Sequence, residues 1–383
     1  MNKTCLFAAF CALTLLSLHS CGTKENTNFI PVQESTAISF LDDMSGSRTY
    51  LFFEDSLVEA SLGQIYGVMI DDGKVFVSNT VSLDQWHTSI EGICVFDMDG
   101  KFLNTISRPG NARNEIRRMQ YWCIDTISKQ VIINDSGTHI KRFSYDGTFI
   151  SSTAIDESLE LLDIICNNGK IYAPLPVPND VADDLARITD DRTGISVLPA
   201  RNDDQVPPAS NLYPTTKIVD PGLESFLHIR RMDNALYKIT DDRVDTCGLF
   251  EFLNGTSPSK TIETTRYFII HSVETGPIAA PSEPNAPPQP EYGITAIIFH
   301  VYDKSTGKCV RYRREATDRV WNTITMQFNI VGVSHDMIIS KATPSGARYI
   351  LEKVADKIPQ SDREMMEILS KRENSALIFH HLR

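Results

Sequence analysis

Short apolar runs broken by turn residues set the rhythm of the chain. Gly67-Val68-Met69-Ile70 leads into Asp71-Asp72-Gly73 and Lys74-Val75-Phe76-Val77, and Ile93-Cys94-Val95-Phe96 follows after a longer connection. Asp-Gly readily supplies the positive φ angles of a tight reversal, so this pattern predicts β-hairpins. The unit returns as Leu162-Asp163-Ile164-Ile165-Cys166, Asn167-Asn168-Gly169 and Lys170-Ile171-Tyr172-Ala173, which puts Gly73 and Gly169 96 positions apart, two steps of 48. A second hairpin repeats more plainly. Val95-Phe96-Asp97-Met98-Asp99-Gly100-Lys101-Phe102-Leu103 matches Arg142-Phe143-Ser144-Tyr145-Asp146-Gly147-Thr148-Phe149-Ile150 in residue type, with Gly100 and Gly147 47 positions apart. A looser copy with a longer turn runs from Phe299 to Val310.

A period in the forties, with two hairpins per copy and no helical periodicity between them, is the pattern of propeller blades. The expected fold is all-β: a six-bladed β-propeller with four-stranded antiparallel blades and one short C-terminal helix. Blades are expected to begin near Ile65, Arg117, Leu159, Glu224, Thr264 and Val320. Extra length falls in Leu175–Pro214, rich in Asp and Pro, and in Gly276–Glu291, where Pro277 through Pro290 holds six prolines in 14 positions. Both stretches read as surface loops, because proline cannot donate to a ladder and is kept out of inner strands. Near the end, Ser361-Asp362-Arg363-Glu364 reads as a capping box opening the helix Met365–Lys371. Ala376–Leu382 then returns to a strand, whose natural use is to close the ring and sequester a sheet edge.

The first residues change the compartment. Lys3 and the apolar run Cys5–Leu18, too short to span a bilayer, predict a signal peptide, and Leu18-His19-Ser20-Cys21 resembles a lipobox whose cysteine receives the lipid. The expected organisation is 1–21 signal peptide, 22–36 tether and 37–383 a single propeller domain. Cys21 would hold it at the bacterial cell envelope, periplasmic face or cell surface, touching the membrane through the lipid anchor only. A formal net charge of −12 argues against nucleic acid as partner. Of eight cysteines, five (Cys94, Cys123, Cys166, Cys247 and Cys309) lie in the body without a C-x-x-C pair, and they read as small hydrophobes rather than metal ligands.

Candidate chemistry concentrates in Arg108, Arg113, Glu115, Arg117 and Arg118, followed by Tyr121 and Trp122, where a blade-connecting loop would enter an innermost strand. Guanidinium forks beside aromatic rings suit the carboxylate or sulfate of an acidic sugar, with a ring stacking on the pyranose. The plainer alternative is a solvated arginine loop with Trp122 in the core between blades. Trp86-His87, on the long loop inside the first blade, is a second contact point, either binding platform or loop anchor. The acidic doublets occupy turn or loop sequence, and no Gly-x-Ser-x-Gly elbow, H-E-x-x-H helix or EF-hand loop occurs. No catalytic residue, metal ligand or cofactor is therefore assigned. The expected role is a scaffold binding a glycan, peptide or envelope protein. A metal-dependent lactonase or lyase, whose ligands would come singly from inner strands, and a subunit of an envelope or nutrient-uptake complex are the alternatives.

These features together resemble a family. The lipobox, Phe96-Asp97-Met98-Asp99-Gly100-Lys101-Phe102-Leu103, the Gly110 loop, Ile140-Lys141-Arg142-Phe143 with its Asp-Gly turn, and the closing Asn374-Ser375-Ala376-Leu377-Ile378-Phe379 occur in the order seen in six-bladed β-propeller lipoproteins of Bacteroidetes-type bacteria, related to TolB-like and NHL-repeat propellers. The resemblance spans Phe29 to Arg383 and implies a fold rather than an activity. Where that family carries a Gly-Pro-Gly-Glu-Tyr-like loop, this chain has Arg108-Pro109-Gly110-Asn111-Ala112-Arg113-Asn114-Glu115-Ile116, which keeps the acidic position at Glu115.

Overall fold

The structure is a computed structural model and describes residues 29–35, 40–54, 62, 64–82, 88–156, 159, 161–175, 185–189, 194–198, 216–230, 235–241, 243–250, 256–278, 291–315 and 330–383. Strands β1 (Phe29–Ile30), β2 (Val32–Glu34) and β3 (Ser45–Phe52) come first. Blade one is β4 (Gln64–Asp71), β5 (Lys74–Ser82), β6 (Thr88–Asp97) and β7 (Phe102–Thr105). Blade two is β8 (Met119–Asp125), β9 (Gln130–Asp135), β10 (His139–Ser144) and β11 (Phe149–Ala154). Blade three is β12 (Ile165–Asn167), β13 (Lys170–Pro174), β14 (Leu185–Ile188) and β15 (Gly194–Ser196). Blade four draws on β16 (Thr216–Val219), β17 (Phe226–Ile229), β18 (Ala235–Ile239) and β19 (Val244–Phe250), and blade five on β20 (Thr256–Glu263), β21 (Tyr267–Ile278), β22 (Glu291–Asp303) and β23 (Lys308–Glu315). Blade six has β24 (Ile330–Ser334), β25 (Met337–Ala342) and, after helices Pro344–Val354 and Gln360–Leu369, β26 (Ala376–Leu382).

Side chains alternate between the two faces of each blade, so one strand feeds two cores. On β5, Val75 and Val77 pack with Val331 and Phe379 of blade six, whereas Phe76 packs with Trp122 and Ile133 of blade two. Further cores join blades two and three (Ile132 with Ile171), three and four (Tyr172 with Phe226), four and five (Leu236 with Ile270), and five and six (Ile269 with Ile338). Each of six seams thus has its own apolar cluster, which closes the ring at six. Burying each large side chain contributes about 1.5–3 kcal/mol, so the seams are where the ring's cohesion resides. Cys123 and Cys166 are both buried within the seam between blades two and three.

The terminal strand closes the ring as its sequence suggests, and the N-terminal segment joins it. β26 pairs antiparallel with β25 on one side and with β3 on the other, so β3 supplies the outer strand of blade six. β1 adds in parallel to β19 and β2 in parallel to β23. β1, β2 and β3 therefore lie on the outer rim of blades four, five and six, each covering an edge.

Two sequence expectations need correction. The stretch 175–214 is not simply loop, because it contains β14 and β15, the outer strands of blade three. Ser361 does not cap the C-terminal helix: Pro359 stands at the N-cap, extended at φ −54° and ψ 149°, with no side-chain cap bond. Asp362 instead accepts hydrogen bonds from Arg48 and from the Tyr50 hydroxyl, 2.9 and 2.7 Å away, fastening the helix to β3. The helix Pro344–Val354, not anticipated from sequence, starts at a sound signal: Thr343 Oγ1 accepts from Gly346 N at 3.0 Å and Pro344 opens the first turn.

The fourth blade departs from the regular plan. β16 stands where its first strand should be, yet it pairs in parallel with β20 of blade five. The following segment, Asp220–Glu224, accepts hydrogen bonds from Thr126 on blade two and from Asn167 and Asn168 on blade three. Asp220 N donates to Glu263 O of blade five, and the Asp220 carboxylate lies 4.0 Å from His335 of blade six. Five residues can reach those four blades only by crossing the axis. The central channel is therefore closed at one mouth by the chain itself.

Candidate functional site

Strand direction divides the ring into two unlike faces. One carries a row of tight turns: Asp72-Gly73, Asn168-Gly169, 98–101, 145–148, 264–266, 304–307 and His335-Asp336. Positive φ angles at Asp72, Gly73, Gly100, Gly147, Asn168, Gly169 and His335 make these reversals possible. The channel-closing segment lies on this face. The other face receives the connection 106–118 and the helical excursion 343–375, and the strand ends at Ala154 and Ile165, at Ile278 and Glu291 and at Glu315 and Ile330 open onto it.

The arginine loop belongs to the second face, between β7 and β8. Its neck is tied by a Pro109–Ile116 bridge, with Gly110 N donating to Ile116 O at 3.0 Å and Ile116 N to Arg108 O at 3.1 Å. Glu115 folds back inside the loop and accepts from Ala112 N at 2.9 Å, and a Cβ on Gly110 would come within 2.0 Å of its carboxylate. Glu115 is therefore a brace for the loop.

Beneath the loop lies Asp135, 0% exposed. It accepts from the backbone N–H groups of Arg117 and Arg118 at 3.0 and 3.1 Å and pairs with buried Lys141 at 2.9 Å. Burial alone would raise its pKa, but the Lys141 ammonium and these N–H donors outweigh it and hold the carboxyl below its ordinary range. Lys141 also donates to Glu115 O, joining blade two to the brace. The result is a rigid base carrying exposed guanidinium groups: Arg108, Arg113, Arg117 and Arg118 all face solvent. Arg113 sits 5.7 Å over the Phe149 ring and Arg117 donates to Thr138 Oγ1 at 3.3 Å.

The aromatic members separate from the arginines. Trp122 is 7% exposed and fills the core between blades one and two. Tyr121 is half-buried against the core between blades two and three. Trp86 and His87 lie outside the described residues, as does Cys21.

A second cluster, at the axis, escaped sequence reading. Asp163, 7% exposed, accepts from Lys217 N at 2.9 Å and from Ile164 N at 2.8 Å. Burial pushes its carboxyl up to about 6 despite these donors. Lys260 Nζ donates to Ile330 O at 3.3 Å, and Lys341 Nζ donates to Ile65 O at 2.7 Å. Burial lowers the pKa of both lysines, against the attraction of Asp163 for Lys260 and reinforced at Lys341 by the charge of Lys260. The available signal was a lone charge in an apolar strand, as in Ile338-Ile339-Ser340-Lys341 and Leu162-Asp163-Ile164-Ile165, where alternation can bring it to the axis.

A family described as a 6-bladed beta-propeller matches residues 19–266. Among solved structures, a Bacteroides fragilis protein described as exported superposes with a TM-score of 0.61 at 11% identity, covering 92% of this chain and 99% of its own. A member of the DUF4221 family from Bacteroides vulgatus superposes with a TM-score of 0.51 at 7% identity, covering 88% and 97%. At such identities the likeness speaks for the fold alone. None of the curated proteins matches the chain. Among the described residues no helix is long and apolar enough to cross a membrane.

Proposed function

The chain belongs to the DUF5128 family of six-bladed β-propellers, and from that premise we propose that it is an envelope-anchored lipoprotein whose long-loop face binds a ligand or partner. The preferred ligand is an anionic glycan, with a peptide or envelope protein as the other partners of the same class of role. The observation that carries this reading is the braced arginine loop. Four exposed guanidinium groups stand on a base fixed by Asp135, Lys141 and Glu115, on the face opposite the closed channel mouth. Preorganised guanidinium groups lose little freedom on engaging a carboxylate or sulfate, which is what makes such a base useful. Export and acylation are supported by the Cys5–Leu18 apolar run and by Leu18-His19-Ser20-Cys21. The superposable protein described as exported is consistent with that compartment.

Two measurements test the reading. Palmitate labelling in bacterial cells should mark the wild-type protein and not Cys21→Ala, and labelling of both would remove the anchor. An array of uronate-bearing and sulfated oligosaccharides should retain the wild-type protein and lose the Arg113→Ala/Arg117→Ala double variant by about tenfold or more. Equal retention of both would remove the loop as the site. Trp122→Ala is a poor probe of binding because it empties the core between blades.

A further inference from the structure

We infer that Lys260 and Lys341, at the loop-face end of the axis, bind an oxyanion, a carboxylate or sulfate carried by a small molecule entering from that face. This site is distinct from the arginine loop and rests on the proposed function only in the direction of entry.

The two lysines stand on neighbouring blades, and each donates to a main-chain carbonyl near the axis. Lys260 on β20 donates to Ile330 O, and Ile330 is the register partner of Ser340, the residue before Lys341. Lys341 in turn donates to Ile65 O, at the start of the inner strand of blade one. An ammonium carries three donors, and each of these uses one on a main-chain carbonyl. Among the described residues neither lysine has a carboxylate within ion-pairing distance. The nearby acid, Asp163, has one oxygen on Lys217 N and the other on Ile164 N. Burial is the chief cause of the lowered pKa of both lysines, opposed at Lys260 by the Asp163 carboxylate and reinforced at Lys341 by the charge of Lys260. An oxyanion reached by both ammonium groups would offset that burial cost.

Two further features shape the ligand. Tyr66 borders the site, 49% exposed, with Lys341 Nζ 5.6 Å from its ring centroid, so an apolar ring or sugar face attached to the oxyanion has a surface to rest on. Towards the turn face, β16 and Asp220–Glu224 close the axis, so the channel is a blind one. A channel closed at its turn-face end, with Lys260 and Lys341 towards its open end, suits a small anion rather than a threaded polymer.

The test compares thermal unfolding in sodium sulfate, sodium glucuronate and glucose, each against sodium chloride at matched ionic strength. Sulfate stabilises proteins generally, so the variants supply the baseline. Wild type should gain about 2–4 °C from glucuronate and from sulfate beyond that baseline, and nothing from glucose. Lys341→Gln should lose this gain, Lys341→Arg should keep part of it, and Arg266→Gln, on the turn face, should keep all of it. Should Lys341→Gln not fold, NMR of lysine Cε labels in wild type replaces it, with two lysine signals expected to shift on adding glucuronate. An equal gain in Lys341→Gln and wild type overturns the axial site, as does the absence of any lysine shift. A gain lost in Arg117→Gln and kept in Lys341→Gln transfers the binding to the arginine loop.

Discussion

The two faces of the ring use similar residue types for opposite ends. On the turn face, three cations are held by carboxylates: Arg266 by Asp303 at 2.9 Å, Lys129 by Asp71 at 2.7 Å, and Lys304 by Glu263 at 3.1 Å. On the loop face, Asp135 pairs with Lys141 at 2.9 Å and more distantly with Arg117 Nε at 3.6 Å, and Glu115 accepts from Ala112 N, whereas among the described residues no carboxylate pairs with the exposed Arg108, Arg113 or Arg118. The contrast teaches that pairing, rather than count, distinguishes a structural charge from one available to a ligand. On the proposed function, recognition belongs to the loop face.

That division can be broken by substitution. The largest effect is expected from Lys141→Ala, which takes from buried Asp135 its closer ion pair and leaves Arg117 Nε at 3.6 Å, and should cost about 3–5 kcal/mol, read from the urea midpoint. Next comes Gly100→Ala on the turn face. Its φ is +83° and an added Cβ would lie 2.2 Å from Phe52 O, where β3 closes the ring, so a loss of about 2–4 kcal/mol with ligand binding intact is expected.

Acid sharpens the comparison further. Glu263, buried on the turn face and accepting from Leu227 N at 2.7 Å, has its carboxyl raised to about 7, chiefly by burial. A raised folded pKa means that the native state holds the proton more tightly than the unfolded chain, so this contribution is present at low pH and is lost as pH rises from about 4.5 to 7. The stability difference between wild type and Glu263→Gln should therefore move in favour of the variant from pH 5 to pH 8, as followed by paired urea titrations. A constant difference would contradict the raised carboxyl. The smallest stability effect belongs to Arg113→Ala, an exposed loop position, at about 0.5 kcal/mol or less, despite its expected effect on binding.

Legibility in the sequence followed the same division. Blades one to three announced themselves through Asp-Gly and Asn-Gly reversals, because local turn chemistry dictates them. The matched hairpins around Gly100 and Gly147 fell where the structure has β6–β7 and β10–β11. Blades four to six depend on partners distant in sequence. Phe29–Glu34 is too short to be recognised as two strands until β19 and β23 offer their edges. β16 looks like an ordinary first strand, and only its parallel pairing with β20 reveals the closed channel. The arginine loop was visible as a charge cluster, but its brace was not, because Asp135 and Lys141 come from the two strands of the β9–β10 hairpin. Trp122 was read beside the arginines in sequence, whereas strand alternation turns it into the core between blades.

The central claim, that recognition belongs to the loop face, is tested most directly by two variants with matched loss of positive charge. Binding of uronate-bearing and sulfated oligosaccharides should be measured for wild type, for Arg117→Gln on the loop face and for Arg266→Gln on the turn face. A loss of about tenfold in affinity for Arg117→Gln alone is the predicted result. Equal losses in the two variants, or a loss confined to Arg266→Gln, would contradict it.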